Sequence, residues 1–350
     1  MKLIDGKYGT KYWDLFEQRI EETVFSIKNQ TIPKLRRISL HITNKCNFNC
    51  IYCNEIHKNK ELDFNLFKRI VDEYSEMGGG ILHITGGEPS IVSYINEAID
   101  YSHSKGIITN LNTNGYKRFN DSSYSKMSRL KISFDTNDEN RFDNLVRHKG
   151  AFNNIIDNIK YIKTLKNYPV ISLTYTVNAQ NIEDMIPFIN FYYKEIRVYA
   201  IFFSIYKGDN PNLIFSQENI NRLFHEVYPK IKEIMIKNND YDSLWLLENS
   251  HSKMTYELQN RFPENNNTPC YLSLSELSIY ENGEISHCSH LSRDGIFDKN
   301  LNIKDNALQE IMNKKLDLLN KIPLNQKCLY GCNLKLCKFN LECKKKLNKI

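Results

Sequence analysis

The sequence predicts an α/β fold: six strand–helix units forming a parallel sheet, followed by a small cysteine-rich C-terminal region. Three observations carry this. Short β-branched runs alternate with helical-period runs from residue 35 to 237. The two most unusual loops, "NKCNFNCIYC" and "TGGEPS", each follow a predicted strand directly. The nine cysteines fall into two groups, three within 46–53 and six within 270–343.

The elements follow in order. Residues 1–34 read as a helical extension ending near Pro33. "LRRISLHIT" (35–43) is a strand and "DFNLFKRIVDEYSEM" (63–77) a helix. "ILHIT" (81–85) is a strand, with a helix over 91–105. "GIITNLNT" (106–113) and "LKISFDT" (130–136) are strands flanking a short helix at 121–128. "AFNNIIDNIKYIKTLK" (151–166) sets Phe152, Ile155, Ile156, Ile159, Ile162 and Leu165 on one helical face. "PVISLTYTVN" (169–178) is a strand and 182–193 a helix despite Pro187. "EIRVYAIFFSI" (195–205) is the sixth strand, and a long helix fits 216–237. Six such units imply a parallel sheet with helices outside it, and chemistry at the C-terminal strand ends. The expected divisions are the extension (1–34), the strand–helix unit (35–239), a connector (240–268) and the cysteine-rich region (269–350).

Composition narrows the function classes. With 41% apolar residues the chain can bury a proper core. The longest apolar run, "VYAIFF", is far too short to cross a membrane. The N-terminus lacks a secretory pattern, so a cytoplasmic protein is expected. The formal charge of +6 is spread along the chain, and the run "CKKKLNK" reads as a solvated tail. Neither a membrane nor a nucleic-acid partner is expected. Clustered cysteines at short spacing in such a protein point to metal rather than disulfides.

Cys46, Cys50 and Cys53 are spaced Cys-x3-Cys-x2-Cys. Three thiolates holding a four-iron, four-sulfur cluster leave one iron open to a further ligand. This loop, with the aromatic Tyr52 before its last cysteine, resembles the radical S-adenosylmethionine superfamily. Gly86-Gly87-Glu88-Pro89 resembles that family's GGEP segment, which receives the methionine amino group. "NTNG" with Asn114, and "SFDT" with Ser133 and Asp135, resemble its later cofactor-binding segments. Arg147 in "NLVRHKGAF" is similar to the arginine that partners the methionine carboxylate. Thr136 stands where the family has glycine. The resemblance spans residues 35–205 and implies a partial (β/α)6 TIM-like barrel. It also implies a [4Fe–4S] cluster, S-adenosylmethionine, and an electron donor such as flavodoxin or ferredoxin. Reductive cleavage of the cofactor would give a 5′-deoxyadenosyl radical that abstracts a substrate hydrogen.

"CYLSLSELSIYENGEISHC" (270–288) resembles the opening of the SPASM and twitch extensions of such enzymes, with a hairpin turn at Glu281-Asn282-Gly283. Cys270, Cys288, Cys328, Cys332, Cys337 and Cys343 are the metal-ligand candidates there, against seven cysteines in a full SPASM extension. One auxiliary [4Fe–4S] cluster with two thiols left over, two clusters with open or non-cysteine positions filled by His287 or His290, and a zinc site all satisfy the spacing. The resemblance favours iron, and one cluster is the favoured account. A spare thiol among Cys328, Cys332, Cys337 and Cys343 would serve as hydrogen donor to a substrate radical. Relatives with such extensions imply a ribosomally made peptide as substrate, epimerised or crosslinked. A dehydrogenase acting on a small molecule and a non-catalytic iron–sulfur or zinc protein are the alternatives.

Overall fold

Strict alternation along the strands builds the sheet. In β1 (Arg37–Thr43), Ile38, Leu40 and Ile42 are fully buried while the residues between them are polar. The same alternation recurs in β2 (Ile81–Gly86), β3 (Ile108–Thr113), β4 (Met127–Ser133), β5 (Val170–Val177) and β6 (Ala200–Ile205). These six strands pair in parallel in chain order. The structure, a computed structural model, describes residues 7–53, 59–206, 208–248, 271–286, 301–318 and 342–347.

The apolar face of each strand packs outward against helices. α1 (Lys7–Lys28) precedes the sheet, and α2 (Phe64–Glu76) covers it with Phe67, Ile70, Val71 and Tyr74. α3 (Ile95–Ser104) and α4 (Asp121–Lys126) follow, then α5 (Glu139–Val146). α6 (Ala151–Thr164) buries Phe152, Ile155, Ile156, Ile159 and Ile162, the face its periodicity predicts; Leu165 lies just past its end. α7 (Met185–Phe191), α8 (Gln217–Arg222) and α9 (Tyr228–Lys237) complete the layer. The polar face points inward. Lys131 Nζ on β4 lies 4.7 Å from the Phe202 ring centroid on β6, across the intervening strand, so the sheet curves around a lumen. This is the expected partial (β/α)6 TIM-like barrel.

Several boundaries differ from the sequence reading. β4 ends at Ser133 rather than 136, and Phe134, Asp135 and Thr136 are buried in the turn beyond it. The helix after β5 continues through a π-helical turn at Tyr192–Ile196, so β6 starts only at Ala200. A second π turn, Leu223–Val227, joins α8 to α9 just before Pro229, where the missing N–H interrupts regular bonding. Pro187 is tolerated because it is the third residue of α7, where the amide has no helical partner. α5 was not expected at all.

The hairpin is present: β7 (Glu276–Ile279) pairs antiparallel with β8 (Ile285–Ser286), and Gly283 turns with φ +87°. Its setting is new. β7 also pairs in parallel with β1, extending the barrel sheet beyond its first strand. α10 (Leu308–Leu318) lies against α2 and donates the Leu308 N–H to Glu73, 2.6 Å. Among the described residues no helix is long and apolar enough to cross a membrane.

Candidate active site

The loop after β1 brings Cys46, Cys50 and Cys53 to one cavity of about 230 Å³ at the C-terminal rim of the sheet. Gly86, Gly87 and Glu88 after β2, Asn112 to Asn114 at the end of β3, and Ser133 at the end of β4 line the same cavity. Tyr52 also lines it. Four separate strand ends therefore converge on the three thiols.

Backbone bonds set the cysteine loop. Asn49 N–H donates to Val146 O at 3.1 Å, and Ile51 N–H to Leu145 O at 2.9 Å. The end of α5 thus holds the middle of the loop. On the other side Gly87 N–H donates to Thr43 O and Glu88 N–H to Lys45 O, each 2.7 Å. A side chain on Gly86 or Gly87 would run into the Thr43 or Lys45 carbonyl, so the glycines permit contact between two loop backbones.

The donor set fits a cluster. Phe48 N–H points at Cys46 Sγ, 3.4 Å away, a contact suited to a thiolate. Among the described residues no three His, Cys, Asp or Glu side chains converge on a single ion, yet three thiols surround one cavity. Burial pushes the Cys46 thiol up to about 11, and burial with the nearby Asp135 pushes Cys50 higher still. Such thiols stay protonated without metal and lose their protons on ligation.

Glu88 is buried and fully engaged. Its carboxylate accepts from Thr113 Oγ1 (2.6 Å), Asn114 N–H (2.6 Å) and Ser90 N–H (2.9 Å). Burial raises its pKa, against the lowering effect of those donors. Asn114 also donates to Asn47 Oδ1 at 2.8 Å, tying the β3 end to the cysteine loop. Asp135 is fully buried; it accepts from Tyr52 at 2.7 Å and from Thr176 N–H, and burial lifts it to about 6.

Three expected residues, Asp135, Arg147 and Cys343, are not among the cavity-lining residues; Asp135 reaches the site only through its bond to Tyr52. Arg147 is exposed and is not among the cavity-lining residues; it caps α5 in the left-handed conformation, φ 54°. The carbonyls of Leu145 and Val146 just before it do the positioning. Cys343 is buried, pushed up to about 12 by that burial, and also stands outside the cavity lining. Cys270, Cys288, Cys328, Cys332, Cys337, His287 and His290 lie outside the described residues. Sequence reasoning missed Asn47, Phe48 and Thr113 as site residues, although all three sit inside quoted motifs.

Comparison with known proteins agrees with this geometry. Residues 40–192 match the model of the Radical SAM superfamily. The GTP 3',8-cyclase of Staphylococcus aureus (strain JH9) is 27% identical over 162 residues, covering 41% of this chain and 46% of that protein. The chain thus spans about half the length of the curated relatives it matches. Streptococcus suis SuiB bound to S-adenosylmethionine superposes over 95% of this chain and 78% of its own, with TM-score 0.63 and 16% identity. A second SuiB structure, bound to precursor peptide SuiA, covers 94% of this chain and 76% of its own, again with TM-score 0.63 and 16% identity. The structure of anSMEcpe with bound AdoMet and Kp18Cys peptide matches 89% of this chain and 96% of its own, TM-score 0.58 at 14% identity. With a barrel whose strand ends gather three cysteines, a GGEP loop and two buried carboxylates, and with residues 40–192 matching the Radical SAM superfamily model, this chain is an enzyme with a radical SAM domain over that stretch.

Proposed function

We propose that the enzyme modifies a ribosomally made peptide by hydrogen-atom abstraction, giving an epimerised or crosslinked product. The observation that carries this reading is the convergence of Cys46, Cys50 and Cys53 with Gly86–Glu88, Asn114 and Ser133 on one cavity. When bound there, a [4Fe–4S] cluster with S-adenosylmethionine supplies a 5′-deoxyadenosyl radical. The three cysteines would hold the cluster, and the Gly86–Glu88 turn with Asn114 and Ser133 would bind the cofactor. Tyr52 and Asp135 hold the cysteine loop against β4, and Phe48, Phe142 and Val146 give the cavity apolar walls that exclude water.

The peptide reading is supported by the likeness of fold to SuiB and anSMEcpe, both solved with peptides bound. Under it the six C-terminal cysteines form a SPASM- or twitch-type region holding one auxiliary cluster, with a second as the alternative. A flavodoxin or ferredoxin supplies the electron, in the cytoplasm. Spare thiols among Cys328, Cys332 and Cys337 remain the hydrogen-donor candidates. A second reading, a small-molecule or nucleotide substrate, is favoured by the partial likeness to GTP 3',8-cyclase.

The test is anaerobic reconstitution followed by reduction with S-adenosylmethionine. Wild type should release 5′-deoxyadenosine and the Cys46/Cys50/Cys53→Ala variant should not. Faster release with short peptides encoded beside the gene, and a mass change in one of them, supports the peptide reading. Stimulation by nucleotides alone would replace it with the second.

A further inference from the structure

The turns after β3 and after α5 meet over the cysteine loop. Phe48, which lies between Cys46 and Cys50 in the chain, is buried with its ring 5.5 Å from Tyr116 and 5.1 Å from His148, centroid to centroid. Tyr116 and His148 themselves meet edge to face at 4.5 Å. Phe48 lines the cavity, and its N–H points at Cys46 Sγ from 3.4 Å. Tyr116 and His148 are half-buried, so the three rings run from the thiols to the outer surface.

That surface is positively charged. Lys117 and Arg118 follow Tyr116 in the chain, and Arg147 and Lys149 flank His148. All four are exposed, and none makes an ion pair among the described residues. Arg118 bonds to Asn158 and lies 4.1 Å over the Tyr161 ring, neither of which carries a charge. Two carboxylates sit by these turns. Asp121 accepts from the Tyr161 hydroxyl, and Asp143 from the backbone N–H groups of Gly150 and Phe152. Four cations against these two carboxylates leave the patch net positive. The radical reaction uses an electron delivered to the cluster, while cofactor and substrate occupy the cavity side. A protein that carries the electron must approach by another face, and this one lies two layers of aromatic rings from the thiols.

We propose that Tyr116, His148 and the cations around them form the docking surface for an acidic one-electron carrier protein, which reduces the cluster through the Phe48 wall. One electron leaves the reduced carrier, which is oxidised by one, and the cluster gains it; no proton or group moves. A positive patch steers a negative partner and fixes its orientation, and that attraction weakens with salt. The proposal rests on the radical-enzyme reading above, with its flavodoxin or ferredoxin donor, and names the face on which that donor sits.

The experiment uses the anaerobically reconstituted full chain and two probes, an acidic flavodoxin and an acidic ferredoxin. Binding of each is measured by calorimetry at low salt and at about 0.3 M salt. Release of 5′-deoxyadenosine is measured with each reduced carrier and with reduced methyl viologen, which is small enough to need no docking. The proteins are wild type, Lys117→Glu/Lys149→Glu, Lys117→Gln/Lys149→Gln, and Lys230→Glu/Lys237→Glu on α9 as a charge-matched control. At least one carrier should bind wild type, more weakly at the higher salt. It should bind the Lys117→Glu/Lys149→Glu variant about tenfold more weakly, with the glutamine variant between. Carrier-driven release should fall in step, while viologen-driven release, iron content and melting temperature stay at the wild-type level. The α9 control should match wild type throughout. Binding of neither carrier to wild type, an equal loss in the α9 control, or binding that survives the charge reversal overturns the docking surface. Loss of viologen-driven release in the charge-reversed variant also overturns it, since the lysines would then act inside the active site. Absence of viologen-driven release from wild type indicts the radical-enzyme reading, whereas its presence with carrier binding indifferent to the patch indicts the docking surface alone.

Discussion

The hydroxyl of Tyr52 donates a 2.7 Å hydrogen bond to Oδ2 of Asp135, joining the cysteine loop after β1 to the turn after β4. Asp135 is fully buried, and its other oxygen accepts from the Thr176 backbone. One carboxylate therefore links three parts of the rim, after β1, after β4 and at the end of β5. Replacing Tyr52 with Phe strips a buried oxygen of its donor while keeping the ring. The expected cost is about 1–3 kcal/mol in denaturant unfolding of the apoprotein. The effect should disappear in an Asp135→Ala background, since the interaction is already gone there. Equal costs in both backgrounds would show that the bond carries no stability.

Gly87 stands where a methyl group would meet the Lys45 carbonyl backbone. Gly87→Ala should therefore push the cysteine loop away from β2 without unfolding the sheet. Iron bound at Cys46, Cys50 and Cys53 should fall below half of wild type, read against the C-terminal iron by measuring a Cys46/Cys50/Cys53→Ala control. Gly78→Ala makes a useful comparison. Unlike Gly87 it has positive φ, but its added methyl meets nothing within 4 Å, so its iron should stay at the wild-type level.

Glu88 uses both oxygens as acceptors for three donors. Glu88→Gln turns one oxygen into an amide donor that faces the donors already there. The β3 end should shift, with a stability loss of about 1–3 kcal/mol and weaker S-adenosylmethionine binding by calorimetry. Unchanged affinity would mean that the β3 end does not contact the cofactor.

His83 supplies a pH prediction. Burial, then the charges of Arg37 and Lys131, depress its imidazole to about 3. Between that value and the ordinary histidine pKa the unfolded chain binds a proton that the folded chain refuses. Stability contributed by neutral His83 is thus complete above about pH 6.5 and declines as pH falls toward 3, by at most about 1.4 kcal/mol per pH unit. Apoprotein His83→Gln should show a smaller loss between pH 7 and pH 5 than wild type. Parallel curves for the two proteins would refute the assignment.

Asn44, two residues before the first cysteine, donates to Glu281 on the C-terminal hairpin at 2.7 Å. It also accepts from Lys60 N–H at 2.7 Å, closing the base of the cysteine loop. Asn44→Ala should raise amide exchange at both Lys60 and the β7–β8 turn. Increased exchange at Lys60 alone would show that the hairpin is held by its pairing with β1 instead.

Much of the rim was readable because its signals are local. Cys46, Cys50 and Cys53 share one short loop, and Gly86–Pro89 announces a turn after a strand whose alternation is plain. The helix α5 was readable in principle: Asp138 caps it by accepting from Arg141 N–H, and Phe142 and Val146 sit one turn apart on its buried side. It was missed because its apolar pattern, Phe142, Leu145 and Val146, spans little more than one turn. The start of β6 was misjudged because "EIRVYAIFF" suits a buried helix end as well as a strand.

The sequence by itself determined the cluster-type spacing of the first three cysteines, the order of six parallel strands and the loops that flank their ends. Tertiary structure decided how those loops touch. It showed that Gly86 and Gly87 make room for the Thr43 and Lys45 carbonyls, that the Leu145 and Val146 carbonyls hold the cysteine loop, and that Lys131 lies over Phe202 in the lumen. Spacing within one loop is set by a few consecutive backbone angles. Contact between loops depends on strand register and on the curvature of the closed sheet, which no single segment encodes.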